Sequence, residues 1–335
     1  MINTSTIAAA SSARKCIDIH AHYLSDGYRA ALLRHGAAGS ESDGLPAPMW
    51  SVDSHLEMMS KLGIERSFLS MASPHCFFGD EGEAIELARE FNEFGAEIVD
   101  QYPDRFGLFA TLPLPTVEHS LVEIDYAFDK LRAVGIKLPT NAGGIYLADD
   151  KFSPILDMLN SRRAIVVLHP VRPAVDARVP RNTPVAVVDY LVETTRAVSD
   201  MVISGMIDLY PNIRWIIPHG GALLPSLVDR LIGMTPLLQM KSSRKLPDIR
   251  ATFAGLYYDV AGFAVPNQLL GLLQMTGVDH ILYGSDYPYA FTSFIEGEKA
   301  KLASTEILTA EQKRKIFAEN AEQLLNNRLN EELLY

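Results

Sequence analysis

The chain has 335 residues and only two cysteines, Cys16 and Cys76. Two thiols cannot build a disulfide framework, so the expectation is a pair of reduced cysteines in a cytoplasmic protein. Basic charge is also in deficit: 30 Lys and Arg stand against 41 Asp and Glu, a formal charge of −11. No basic surplus exists to neutralise phosphates, which argues against a nucleic-acid partner while leaving room for a local basic pocket for a small acid. No run of about 18 apolar residues occurs, so no membrane span is expected. No Gly-x-Gly-x-x-Gly or Walker-type phosphate loop follows any apolar run, which removes the main support for a doubly wound nucleotide-binding sheet. There is no internal repeat beyond a simple alternation of short and long segments.

That alternation is what the chain does contain. Residues 1–15 are rich in Ser, Thr and Ala with Arg14 and Lys15 at their far end, and read as a flexible leader rather than a secretory signal. From residue 16 onward, short apolar runs predict strands near 16–20, 66–71, 106–110, 135–138, 164–168, 213–217, 256–260 and 280–283. Helical periodicity lies between them, as in Ile85, Ala88, Phe91, Phe94 and Ile98 of Gly82–Gln101. The stretch 183–210 reads as helix broken near Ser204-Gly205. Residues 24–50 read as an irregular excursion, with Ala37-Ala38-Gly39-Ser40 and Leu45-Pro46-Ala47-Pro48 suiting a lid. Eight strands alternating with helices predict an α/β fold, a (β/α)8 TIM barrel formed as a single domain over 16–335 with a loop insertion after strand 1.

Candidate chemistry starts at Cys16-Ile17-Asp18-Ile19-His20-Ala21-His22. Side chains at i and i+2 of a strand share a face, so His20 and His22 can grip one object. Imidazole is a common ligand for divalent transition metals. In a barrel of this kind the active site lies at the carboxyl ends of the strands, and three further groups fall there: His169, His219 and Asp286. The remaining histidines, His35, His55, His119 and His280, read as surface or supporting residues. His75 stands in a loop that faces the catalytic end and is a candidate substrate contact. Arg172, three residues past His169, is a candidate clamp for a substrate carboxylate, since guanidinium meets carboxylate as a bidentate fork. Tyr23 and the Phe77-Phe78 pair are candidate walls of an aromatic pocket.

Asp18-Ile19-His20-Ala21-His22, Leu168-His169-Pro170, Ile217-Pro218-His219-Gly220-Gly221 and Tyr283-Gly284-Ser285-Asp286-Tyr287-Pro288 together resemble the signature of the amidohydrolase superfamily. They are most similar to its metal-dependent decarboxylase branch, the group of aminocarboxymuconate semialdehyde, resorcylate, carboxyvanillate and methylsalicylate decarboxylases. The resemblance implies one divalent ion, Zn2+ or Mn2+, held by His20, His22, His169 and Asp286, with no organic cofactor. It implies that His219 and Asp286 handle protons and that the protein is a homodimer. Asp18 is left as either a weak ligand, an orienter of the ligands or a buried structural carboxylate. Lys137 is left as a substrate-facing or supporting cation, or as a solvated or paired one. The expected reaction is non-oxidative decarboxylation of a hydroxylated benzoate or similar conjugated acid. The alternative is hydrolysis of a lactone, ester or amide at the same mononuclear site; a non-catalytic metal-binding role is the third reading.

Overall fold

The structure is a computed structural model; it describes residues 15–36, 46–173, 183–241 and 244–332. Eight segments rich in β-branched and aromatic residues form the strands β1 (Ile17–His22), β2 (Arg66–Ser70), β3 (Phe106–Thr111), β4 (Gly135–Pro139), β5 (Ile165–His169), β6 (Arg214–Ile217), β7 (Tyr257–Asp259) and β8 (Ile281–Leu282). They pair in sequence order, all parallel. Backbone bonds join the last strand to the first: Ile19 N donates to Tyr283 O at 3.0 Å, Asp286 N to His20 O at 2.8 Å, and His22 N to Tyr287 O at 2.7 Å. The predicted eight-stranded barrel is what forms.

The helices are α1 (Asp26–Arg34), α2 (Val52–Leu62), α3 (Glu81–Gln101), α4 (Val117–Asp129), α5 (Ser153–Ser161), α6 (Val185–Ile203), α7 (Met206–Leu209), α8 (Leu224–Gly233), α9 (Thr235–Lys241), α10 (Ile249–Gly255), α11 (Asn267–Met275), α12 (Thr292–Ser304), α13 (Ala310–Arg314) and α14 (Asn320–Glu332). Two buried apolar clusters divide the core. The smaller holds Ile17, Ile19, Phe68, Phe109, Ile165, Val167, Ile216 and Leu282 from the strands, with Ala318, Ala321 and Leu324 of the C-terminal helices joining it. The larger lies between strands and helices and includes Ile136, Leu138, Phe91 and Trp215. Strand alternation sets this division, since neighbouring residues of a strand face opposite sides.

The excursion after β1 is not wholly irregular, because α1 lies within it. Its cap is readable in hindsight: the Ser25 hydroxyl accepts from Tyr28 N, Asp26 sits in the first turn, and Tyr28, Ala31 and Leu32 form the buried face. The lid segment Ala37-Ala38-Gly39-Ser40 and the leader up to Arg14 lie outside the described residues. The predicted break at Ser204-Gly205 is present, with Gly205 in the left-handed region at φ 79°. A two-residue antiparallel ribbon, Asn141–Ala142 with Ile145–Tyr146, and helix α10 were not predicted.

Tyr23 also belongs to the fold. Its ring is fully enclosed and lies 4.0 Å from that of Phe91, whose carbonyl accepts from its hydroxyl at 2.8 Å. This placement removes it from the cavity wall expected of it, because its polar tip is turned toward α3. Gly95 of α3 leaves room for that hydroxyl: a Cβ there would collide with Tyr23 and Leu108. Alanine in a helix interior is normally favoured over glycine by about 0.5–1 kcal/mol. Here Gly95→Ala is expected to reverse that sign and cost about 1–3 kcal/mol through overpacking. A thermal midpoint that falls in calorimetry checks this, and a midpoint that rises rejects it.

Candidate active site

Four strand ends bring the expected groups together. His20, His169, His219 and Asp286 each offer a ligand atom, all within 4.8 Å of one another. His22 closes on the same point: its Nε2 lies 3.1 Å from His20 Nε2 and 3.1 Å from Asp286 Oδ1. The His22 and His169 rings stand edge to face at 4.8 Å. Asp286 Oδ2 faces His219 Nε2 at 3.7 Å.

The far side of each ring decides which nitrogen is available. His20 Nδ1–H donates to Asp259 Oδ2 at 2.8 Å. His22 Nδ1 is 3.3 Å from Ser70 O and 3.2 Å from Ser70 Oγ. His169 Nδ1–H donates to Pro170 O at 3.0 Å. All three therefore turn Nε2 inward, as ligating histidines do when an outer oxygen holds the other nitrogen. Two inward nitrogens only 3.1 Å apart need positive charge between them. That spacing also suits ligands sharing one ion at about 2.0–2.2 Å. The electrostatics agree. Burial disfavours charge on His20, but Asp259 and then Asp286 outweigh it and push its pKa up to about 10. Burial takes His22 down to about 4 and His169 well below its usual range. Burial would raise Asp286, yet its bonds to His20, His219 and His22 hold it well below the carboxylate range. The pocket is built for a cation, and three imidazoles with one carboxylate form a donor set that a divalent transition metal fits.

Two buried carboxylates hold this arrangement. Asp259 ends β7 and was not singled out in the sequence, although a carboxylate at a strand end was the signal that found Asp286. Besides His20, it accepts from His219 N at 3.0 Å through Oδ1. That bond supports His219 in the left-handed region at φ 55°, a costly conformation for a residue with a Cβ. Gln268 adds to it, donating to His219 O at 3.3 Å and Ala222 O at 3.0 Å. Asp18 does the same for the other turn. It accepts from Ser285 N at 2.9 Å, Ser285 Oγ at 2.5 Å and His20 N at 3.2 Å, next to Asp286 at φ 60°.

Asp18 is thus a buried orienter and lies outside the ligand group. The pairing of β1 with β2 shifts register between Asp18 and Ala21, so the period-two face does not carry back from His20 to Asp18. Burial raises Asp18 to about 6 against the pull of its Ser285 bonds. Behind it runs a line of donors: Trp50 Nε1 to His55 Nδ1 at 3.1 Å, His55 Nε2 to Ser67 Oγ at 3.2 Å, and Ser67 Oγ to Asp18 Oδ2 at 3.4 Å. His55, expected as a surface or supporting residue, is fully buried in that line.

The remaining predicted contacts separate. His75 is buried, with Nε2 2.6 Å from Thr111 Oγ1. Phe78 is half-buried and stacks on His35 at 4.6 Å. Arg172 is half-buried, and its carbonyl accepts from Asn141. None of the three lines the cavity among the described residues. Lys137 is neither solvated nor paired: it is fully buried and its Nζ has no hydrogen-bond partner among the described residues. Burial pushes it down to about 7.

A cavity of about 530 Å3 opens onto the group, and His22, His169, His219 and Asp286 line it. A sequence model of the amidohydrolase family matches residues 17–326, and the chain belongs to that family. It is similar to a 6-methylsalicylic acid decarboxylase of Aspergillus aculeatus, 34% identical over 303 residues that cover 85% of this chain and 90% of the relative. It is similar in structure to an amidohydrolase II at 36% identity and a TM-score of 0.86, covering 93% of this chain and 99% of the other. A 5-carboxyvanillate decarboxylase of Novosphingobium aromaticivorans, solved with manganese and 4-hydroxy-3-methoxy-5-nitrobenzoic acid, reaches a TM-score of 0.84 at 22% identity, over 95% and 97% of the two chains; that likeness is one of fold.

Asp259→Ala is expected to weaken metal binding 10–100-fold, the usual cost of losing the oxygen behind a ligating histidine. Competition with a chromogenic chelator measures it. Unchanged affinity would show that His20 needs no carboxylate behind it.

Proposed function

We propose that the protein is a metal-dependent carboxy-lyase that removes carbon dioxide from a hydroxylated benzoate of the salicylate type. The observation that carries this is the pairing of His219 and Asp286 on the cavity wall, beside imidazoles whose nitrogens converge on one point. The decarboxylase names of the relatives support a carbon–carbon lyase over a hydrolase at this site. The ligands in this reading are His20, His22, His169 and Asp286, and the proton-handling pair is His219 and Asp286. The manganese of the fold neighbour makes Mn2+ the first ion to test.

His20, His22, His169 and Asp286 would hold a divalent ion, which would supply Lewis-acid stabilisation of the negative charge on a substrate carboxylate and phenolic oxygen. The chain does the rest. Its apolar walls exclude water and orient the ring. His219 stands 3.7 Å from Asp286, near enough to reload it with a proton directly or through a shared water. The proton goes to the ring carbon that bears the carboxylate, the carbon–carboxylate bond breaks, its electron pair restores the aromatic ring, and carbon dioxide leaves.

No helix among the described residues is long and apolar enough to cross a membrane. We also read the chain as a cytoplasmic homodimer with a leader at 1–15 ahead of a barrel at 16–335. The branch resemblance and the two buried, unpaired cysteines support this. A monomer in sedimentation at micromolar concentration would remove the dimer from the reading.

Manganese-loaded protein is expected to release carbon dioxide from salicylate-type acids, to lose that activity on chelation and to regain it when Mn2+ is returned. His219→Asn is expected to retain its metal and to lose about 100-fold or more in kcat. Cleavage of lactones or amides with those acids untouched would overturn the proposal. So would a His219 variant of full activity.

A further inference from the structure

The cavity is larger than the acid it is read to bind. A bare hydroxybenzoate has about ten heavy atoms, while cavities of several hundred Å3 enclose drug-sized ligands; here the volume is about 530 Å3. The extra lining is apolar. Ala186, Val187 and Leu191 come from α6, Phe263 and Ala264 from the segment after β7, and Phe294 from α12. Phe263 is 70% exposed, Val187 56% and Phe294 52%. The Phe263 and Phe294 ring centroids lie 6.3 Å apart at 59°. Large apolar side chains left in water around a cavity mark where the apolar part of a ligand is covered.

Charge narrows the choice further. Apart from the histidines, the charged side chains lining the cavity among the described residues are Asp286, Glu298 and Lys299. The Lys299 ammonium donates to Leu62 O and lies 5.8 Å from the Tyr283 and Phe317 ring centroids, so it is committed to the protein. Glu298 keeps one oxygen buried and unpartnered. Among the described residues of this wall a second carboxylate on the substrate would meet two acids and no uncommitted cation, at a cost that burial magnifies.

The geometry points to a substrate with a single carboxylate whose ring carries an apolar chain of several carbons, lying between Val187 and the aromatic lip of Phe263 and Phe294. This rests on the reading of the site as an aromatic-acid decarboxylase. Large flat rings on the protein side cover an alkyl chain at little entropic cost, since their own torsions are few.

The test uses manganese-loaded full-length protein and a series of salicylates bearing hydrogen, methyl, propyl or pentyl on the ring, together with a ring dicarboxylate. Carbon dioxide release gives kcat/KM, and titration calorimetry gives Kd for each acid. Each methylene fully buried is worth about fourfold, so affinity and kcat/KM are both expected to rise roughly tenfold or more from methyl to pentyl. The dicarboxylate is expected to bind at least about tenfold more weakly than the methyl acid. In Phe263→Ala/Phe294→Ala the pentyl-to-methyl ratio is expected to shrink severalfold, with Val187→Ser as an independent probe of the wall that α6 supplies. A ratio near one in the unaltered protein, or a dicarboxylate that binds as well as the methyl acid, overturns the inference. Affinity that climbs with chain length while no acid loses carbon dioxide upholds the apolar subsite and defeats the decarboxylase reading. Turnover that ignores chain length does the opposite.

Discussion

The bond from His20 to Asp259 is the constraint on which the rest of the site depends. One carboxylate at the end of β7 holds an imidazole from β1 through one oxygen and the backbone of His219 through the other. Without it, His20 could present either nitrogen inward, and the His219 N–H would lose the acceptor that helps to offset the strain of its left-handed turn. Burial magnifies this dependence, because an unpaired carboxylate among those side chains would be far more costly than an unpaired surface one. Asp18 repeats the device at the other turn, fixing Ser285 and hence the approach of Asp286. The converging side chains come from four strand ends, but their aim is set by two acids that do not line the cavity among the described residues.

Much of this was legible in the sequence, for physical reasons. Parallel strands buried on both faces are short continuous apolar runs, and all eight could be placed from that pattern and from helical periodicity between them. His20, His22, His169, His219 and Asp286 could be found because a barrel delivers its chemistry at strand ends, a rule that needs only strand boundaries. Asp259 obeys the same rule. Its surroundings, Tyr257-Tyr258-Asp259-Val260, match none of the four motifs that carry the resemblance, so the sequence does not mark it. The role of Asp18 was hidden by the register shift in β1, which no alternation pattern reveals.

The substrate contacts fared differently, and the reason is direction. Proximity in sequence to a strand end placed Tyr23 near the site, yet its hydroxyl turns away to Phe91 and its ring completes the packing under Gly95. Phe78 found His35 as a stacking partner. The apolar walls come instead from α6, the segment after β7 and α12, which are remote in sequence from β1 and show only ordinary amphipathic or loop composition. Which face a side chain takes in a loop depends on packing that forms after the chain has folded.

The closing seam of the barrel carries one more consequence. His20 and His22 belong to the first strand and Asp286 to the turn that follows the last, 264 residues from His22. The same few residues supply the backbone bonds by which β8 meets β1. An ion gripped from both sides would work as a clasp on a hoop, joining chain segments whose encounter is among the least probable events in the unfolded ensemble. Metal occupancy and mechanical closure would then be one equilibrium, and the conformational stability of the barrel would track the free concentration of the ion.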